Sequence, residues 1–332
     1  MNMKSENALP TGLKARLVRY DELRPCTNAF IDARTPGSDR KENFTIIGPG
    51  VAENPHQYVH IQEPHGFNIG AARQPPHCTN SLHSHDSEEV FLIHTGTWRF
   101  FWGEHGDAGE IILSPGDTIS IPIHVFRGFE NVGKGTGFMF AVLGKDNPGR
   151  VHWAPHVIEK AKGHGLLLLD NGILVDTTEG ESVPAGASVV GPSSREEISY
   201  IRVPSVDEML QNIVRSASLQ ANPSSILAGK GSGFADCPII GIEQPSDVPP
   251  IRTSHGFNLR CFRFDAGGSV LAYQRQRSEV VLIHRGRLTV SLPNKVELEL
   301  WPGDTFTIPP NTVHGFRAAI ESECFVVFQS QH

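Results

Sequence analysis

Cysteine is scarce in this chain: five in 332 residues (Cys26, Cys78, Cys237, Cys261 and Cys324), an odd number with no two close in sequence. No CxxC pair occurs, so neither a thiolate zinc site nor a redox dithiol is implied. An excess of positive charge is lacking too. Lys and Arg number 29 against 36 Asp and Glu, a net charge of −7, and no basic cluster exceeds two or three residues. A nucleic-acid partner therefore has no electrostatic footprint to meet. No apolar run approaches the ~18 residues of a membrane span. The segment Met1 to Tyr20 lacks the apolar stretch of a secretory signal. The expectation is a soluble, reduced, cytoplasmic protein with no nucleic-acid partner and no membrane partner.

What the chain has is enough apolar material for two cores. Hydrophobic residues are 39%, and 33 Gly bring the apolar share close to the globular average. Gly and Pro together make about 17% of the residues against a usual ~12%, which suits many short strands joined by turns.

Compared with itself, the chain repeats. His65-Gly66-Phe67-Asn68 returns as His255-Gly256-Phe257-Asn258, and Val90 to Gly96 returns as Val280 to Gly286, both displaced by 190 residues. Pro115-Gly116-Asp117 and Gly128-Phe129 return as Pro302-Gly303-Asp304 and Gly315-Phe316, displaced by 187. A duplicated domain is the economical explanation. Each copy reads as short alternating strands with turn signals at the spacing of an antiparallel sandwich or barrel. The stretch between the copies differs. Pro155 to His164 has a helical pattern, Asn171-Gly172 marks a hairpin, and Ser205-Val206-Asp207-Glu208 is a capping box. Met209, Leu210, Ile213 and Val214 follow it at helical spacing, and Gly229 to Gly233 reads as a loop.

The chemistry lies in His83-Ser84-His85-Asp86-Ser87-Glu88-Glu89. Residues two apart on a strand share a face, so His83 and His85 point inward together, and Glu89 joins them from the next strand. Two imidazoles and one carboxylate make an open metal site. With 16 His in the chain, an HxH pair is expected about 0.8 times by chance. Adding the carboxylate and the glycine at 96 lowers that to about 0.008.

His83, His85, Glu89 and Gly96 together resemble the first signature of the cupin superfamily, and Gly116, Pro122 and Asn131 resemble its second. Gly303, Pro309 and His314 repeat the second signature in the other copy. The resemblance covers about a hundred residues of each half. It implies an all-β bicupin: two double-stranded β-helix (jelly-roll) barrels with a mixed linker containing short helices. The corresponding division is an N-terminal extension (1–45), a metal-binding barrel (46–145), a linker (146–245) and a degenerate, metal-free barrel (246–332). It does not fix the reaction, because such a fold hosts many functions.

The departures from the pattern are specific. Cupin sites usually take a fourth ligand, a His, where the repeat places Arg127 opposite His314. A guanidinium has no lone pair, so Arg127 cannot ligate. His124 is the nearby alternative. In the second copy Tyr273 and Arg275 stand where His83 and His85 stand in the first, while Glu279 and His314 remain. An ion pair of Arg275 with Glu279 is expected in the space of the cation. That leaves the second barrel roles in packing, dimerisation or lining a second ligand pocket.

The resulting expectation is one divalent metal ion per chain on His83, His85 and Glu89, with Fe(II) favoured over Mn, Ni, Zn or Cu. The activity expected is a dioxygenase-type oxidation of a small anionic aromatic or enolisable acid. Arg127 grips the anion, with His124 and Trp98 as further substrate contacts. For Trp98, Phe100, Phe101 and Trp102, core filling is the competing role. The rival functions are a metal-assisted isomerase or hydrolase and a non-catalytic small-molecule-binding bicupin, and a homodimer suits any of them.

Overall fold

The computed structural model describes residues 9–330. They form two compact units, one of residues 24–216 and one of residues 9–23 with 217–330.

The first unit is built on two mainly antiparallel sheets. One, of five strands, runs in the order Val151–Trp153, Thr79–His85, Arg127–Asn131, Trp98–Trp102, Gly109–Leu113. The other, of seven, includes Thr118–Ile121, Glu89–Thr95, Gly137–Gly144, Phe67–Gln74 and Glu42–Ile47 as successive neighbours. Sequence alternation explains the sheets directly. In Trp98–Trp102 the side chains of Trp98, Phe100 and Trp102 are buried, while Arg99 and Phe101 sit half-buried on the other face. The core between the sheets gathers Phe91, Ile93, Ile119, Phe129 and Met139 around those aromatics. Gly96 closes the turn between Glu89–Thr95 and Trp98–Trp102 at φ +88°, where a Cβ would come within 2.7 Å of the Gly137 Cα.

The outer face of the five-stranded sheet is covered by the segment that follows the barrel strands. Leu82, Phe126 and Trp153 pack against Val157, Ile158 and Ala161 of the helix Pro155–Lys162 and against the hairpin Leu166–Leu168/Leu174–Asp176. The capping box forms as expected, with Ser205 Oγ accepting from the Glu208 N–H at 3.2 Å. The helix it starts, Val206–Leu210, is shorter than the spacing of Ile213 and Val214 predicts. Those two residues pair instead with Ile119 and Thr118 as an edge strand.

In the second unit one nine-stranded sheet curls around its own core. The long strand Phe257–Tyr273 pairs with Gly231–Ile240 and Ser322–Gln329 and, past a bulge, with His314–Ala318. Gly231 to Gly233, expected as loop, begin the strand Gly231–Ile240.

The division of the chain thus differs from the expected one. Of the expected extension 1–45, the described residues 9–45 are not a separate segment. Leu17–Val18 pairs with Thr305–Phe306 of the second unit, with Arg19 bound to Asp304 at 2.5 Å, whereas Glu42–Ile47 is a strand of the first. Nor is 146–245 an independent linker, because its residues up to 216 pack with the first unit and the remainder with the second. The physical reason is exposed apolar sheet surface, which neighbouring chain covers. No helix among the described residues is long and apolar enough to cross a membrane.

Candidate metal centre

His83 and His85 project inward from Thr79–His85, and Glu89 opens the adjoining strand Glu89–Thr95. One donor atom from each lies within 4.8 Å of the others, and all three residues are buried. His83 donates its Nδ1–H to the Ser81 carbonyl at 2.6 Å, which leaves Nε2 as the lone-pair nitrogen. Its ring lies 5.1 Å from those of Trp153 and His85. His85 Nε2 is buried with no hydrogen-bond partner and stands 3.6 Å from Glu89 Oε2. Burial first, then the Arg127 charge, holds both imidazoles well below their ordinary pKa, so they are neutral and able to ligate.

An unpartnered buried imidazole nitrogen beside a carboxylate and a second oriented imidazole is what a divalent cation would complete. The residues fit the group. Above them lies a cavity of about 70 Å³, walled by Phe30, Phe44, Phe91, Phe129 and Leu143, with Asn80 beside the three donors.

Arg127 is brought to this cluster but does not line the cavity. One of its terminal nitrogens pairs with Glu89 Oε2, and the other donates to the His83 carbonyl at 2.7 Å. The side chain is buried and does not line the cavity, and its charge is met by Glu89. Burial pushes the Glu89 carboxyl up and the Arg127 guanidinium down, against the pull of their ion pair.

Two further expected contacts are placed elsewhere. Trp98 is fully buried in the core with its Nε1–H on the Thr95 carbonyl at 2.9 Å, and it fills space without lining the cavity. His124 is half-exposed at φ +57° in a separate surface cleft of about 240 Å³. Its Nε2 stands 3.8 Å from Asp86 Oδ1, which is also 2.9 Å from His152 Nε2.

In the second barrel the expected ion pair is present. Arg275 Nε donates to Glu279 Oε2 at 2.5 Å, the Tyr273 hydroxyl donates to Oε1 at 2.6 Å, and His314 Nε2 lies 3.4 Å from Oε1. Arg275 also pairs with Glu243. Against the upward push of burial, Arg275, His314 and Tyr273 hold the Glu279 carboxyl at about 2.

Comparison with known proteins gives the architecture its name. Residues 261–328, within the second barrel, match the family model for the cupin domain. A variant of oxalate decarboxylase from Bacillus subtilis superposes with a TM-score of 0.56 at 10% identity, over 96% of this chain and 78% of that one. The 7S globulin of Momordica charantia does so at 0.56 and 10%, over 96% and 85%. The vicilin of Corylus avellana (hazelnut) reaches 0.52 at 12%, over 95% and 85%. By fold the chain is a bicupin. No curated protein matches its sequence. The bicupin's matched segment holds the barrel with Tyr273 and Arg275, whereas the three-donor cluster lies in the other copy.

Sequence reading missed the buried groups behind His83. Lys41 pairs with Asp32 and donates to Asn80 Oδ1 at 2.8 Å. Asp32 accepts from the Ser81 N–H at 3.0 Å, and Glu53 accepts from Trp153 Nε1 at 2.6 Å. Only Asp32, between Ile31 and Ala33, carried any signal; Lys41 stands in the polar run Asp39 to Asn43, and burial is not visible in a sequence without long-range contacts.

Proposed function

We propose that the first barrel holds one divalent metal ion on His83, His85 and Glu89, and that the bicupin is a dioxygenase-type oxidoreductase acting on a small anionic acid. The buried three-donor cluster in the wall of a mostly apolar cavity carries this reading. An iron(II) ion bound there would supply one-electron redox chemistry and open coordination positions, which a 2-His-1-carboxylate set leaves free.

The chain's own residues do the rest. Ser81 fixes the His83 tautomer and ring, and Arg127 ties Glu89 to the backbone at His83. Phe30, Phe44, Phe91 and Phe129 give the cavity beside the donors apolar walls. The metal with Glu89 and Arg127 leaves the site about +2, which draws in a carboxylate or enolate. The space of about 70 Å³ beside the donors is smaller than the ~150 Å³ of a cavity that admits benzene, which favours a short enolisable acid there.

A second reading, a bicupin that binds its acid without converting it, is supported by Arg127 occupying one oxygen of Glu89. The two part on one experiment. Protein reconstituted anaerobically with single metals is given short carboxylic acids and air, and dissolved oxygen is followed. Oxygen uptake with acid loss supports the oxidoreductase. Conversion without uptake selects a metal-assisted isomerase or hydrolase, and acid binding with neither selects the binding protein.

A further inference from the structure

A β-bulge puts one more polar group on the wall of the metal cavity. Between Thr79–His85 and Arg127–Asn131, Arg127 faces His83 but Phe129 faces Asn80, so three steps on one strand match two on the other. The extra residue reverses the alternation. Asn80, which strict alternation would turn outward, lines the cavity with His83, His85 and Glu89 and is buried.

Its amide orientation is settled by chemistry. Lys41 Nζ has only hydrogens to give and lies 2.8 Å from Asn80 Oδ1, so the NH₂ group occupies the other side. That NH₂ stands 3.4 Å from His83 Nδ1. The Nδ1 hydrogen is itself directed at the Ser81 carbonyl at 2.6 Å, so His83 cannot accept from Asn80. Two donors meet, and the Asn80 N–H remains unspent beside the donor cluster. Behind it the Lys41 ammonium, buried and paired with Asp32, polarises the amide toward stronger donation.

The second barrel provides an internal comparison. There the same bulge sets Tyr273 opposite His314 and Val270 opposite Phe316, so Val270 holds the register position of Asn80. The copy without the His pair has an apolar core residue there. The fold therefore does not require an amide at this position.

We propose that Asn80, oriented by Lys41, is the substrate-binding donor of the first barrel and hydrogen-bonds a carboxylate or enolate oxygen of a short acid next to the metal. This rests on the metal-site reading above. It gives Asn80 the anion recognition that sequence analysis assigned to Arg127.

The test uses the full chain loaded with cobalt(II), whose visible absorption reports ligand changes, with pyruvate and acetate as probes. Asn80→Val copies the second barrel, and Asn80→Asp keeps the partner of Lys41 while replacing the N–H donor. Thermal melts and elemental analysis accompany each titration. Both variants are expected to keep about one cobalt per chain and to bind pyruvate about tenfold or more weakly, Asn80→Asp the weaker, as loss of a hydrogen bond to a charged group requires. Pyruvate affinity within about twofold of wild type, with cobalt in place, overturns the role of Asn80 alone. Loss of cobalt from a folded Asn80 variant also overturns it, since Asn80 then only supports His83. Failure of the wild type to take up cobalt overturns the metal-site reading and this proposal together.

Discussion

Two buried glutamates at equivalent positions of one chain meet arginine in different company. Glu89 has Arg127 and two neutral imidazoles, and burial raises its carboxyl; Glu279 has Arg275, Tyr273 and His314 and is held at about 2. Removing Arg127 therefore leaves a buried carboxylate unpaired, which costs ~3–5 kcal/mol. Arg127→Met is expected to melt well below wild type without metal and to recover much of that loss when a divalent ion is added, because the ion replaces the missing positive charge. Melting curves of both proteins, metal-free and metal-loaded, check this. Equal shifts on metal addition would show that Arg127 and the ion do not share Glu89.

Glu279 and Glu53 give pH dependences of opposite sign. The Glu279 pKa lies below its ordinary 4.5, so its contribution is complete above about pH 4.5 and is lost as pH falls through about 2. The stability gap between wild type and Glu279→Gln should be widest above pH 4.5 and close toward pH 2. Burial raises Glu53 to about 8 despite its bonds to Trp153 and Ile31. Between pH 4.5 and 8 the unfolded chain ionises first, so this group loses stability for the fold as pH rises. Glu53→Gln should therefore gain on wild type across that range. Urea titrations at stepped pH measure both gaps, and a flat gap in either case removes the corresponding assignment.

At the scale of elements, the strand Thr79–His85 and the segments that cover it decide the site. His83 and His85 were legible because they are two apart on a strand, whereas Asn80 was not, because a bulge is set by the partner strand. The same holds for Val206–Leu210. Its capping box is local chemistry and forms, but where the helix ends is decided by the edge of Thr118–Ile121, which recruits Ile213–Val214. Ser205→Ala is expected to cost ~1 kcal/mol, the usual loss of an N-cap. Chemical denaturation of the full chain should register it. A neutral result would mean that Met209, buried in the barrel core, holds the helix by itself.

For the whole molecule, the duplication predicts asymmetry. Only the copy with His83, His85 and Glu89 brings three potential ligands together among the described residues, so about one metal ion per chain is expected. His83→Ala or His85→Ala should abolish its binding. A ligand at a hundred times its Kd adds about 2.7 kcal/mol to the unit that holds it. Hydrogen exchange should therefore slow on metal addition in peptides from residues 79–95 and stay unchanged in those from 270–285. Two equivalents of metal, or protection in both sets, would contradict the assignment of Tyr273 and Arg275 as lost ligands.

Sequence by itself determined the duplication, the strand-rich architecture, the three-donor cluster and the loss of its counterpart at Tyr273 and Arg275. All of these are patterns between residues a few positions apart, or identities repeated at one displacement. Tertiary structure alone decided that Arg127 serves Glu89, that Trp98 fills the core and that His124 faces a separate cleft. It also decided that residues 146–245 divide between the two units and that a bulge turns Asn80 into the cavity. Each depends on which distant strand or charge lies opposite, and burial makes that choice: an unpaired charge or an uncovered apolar face is costly enough to take whatever partner the fold brings within reach.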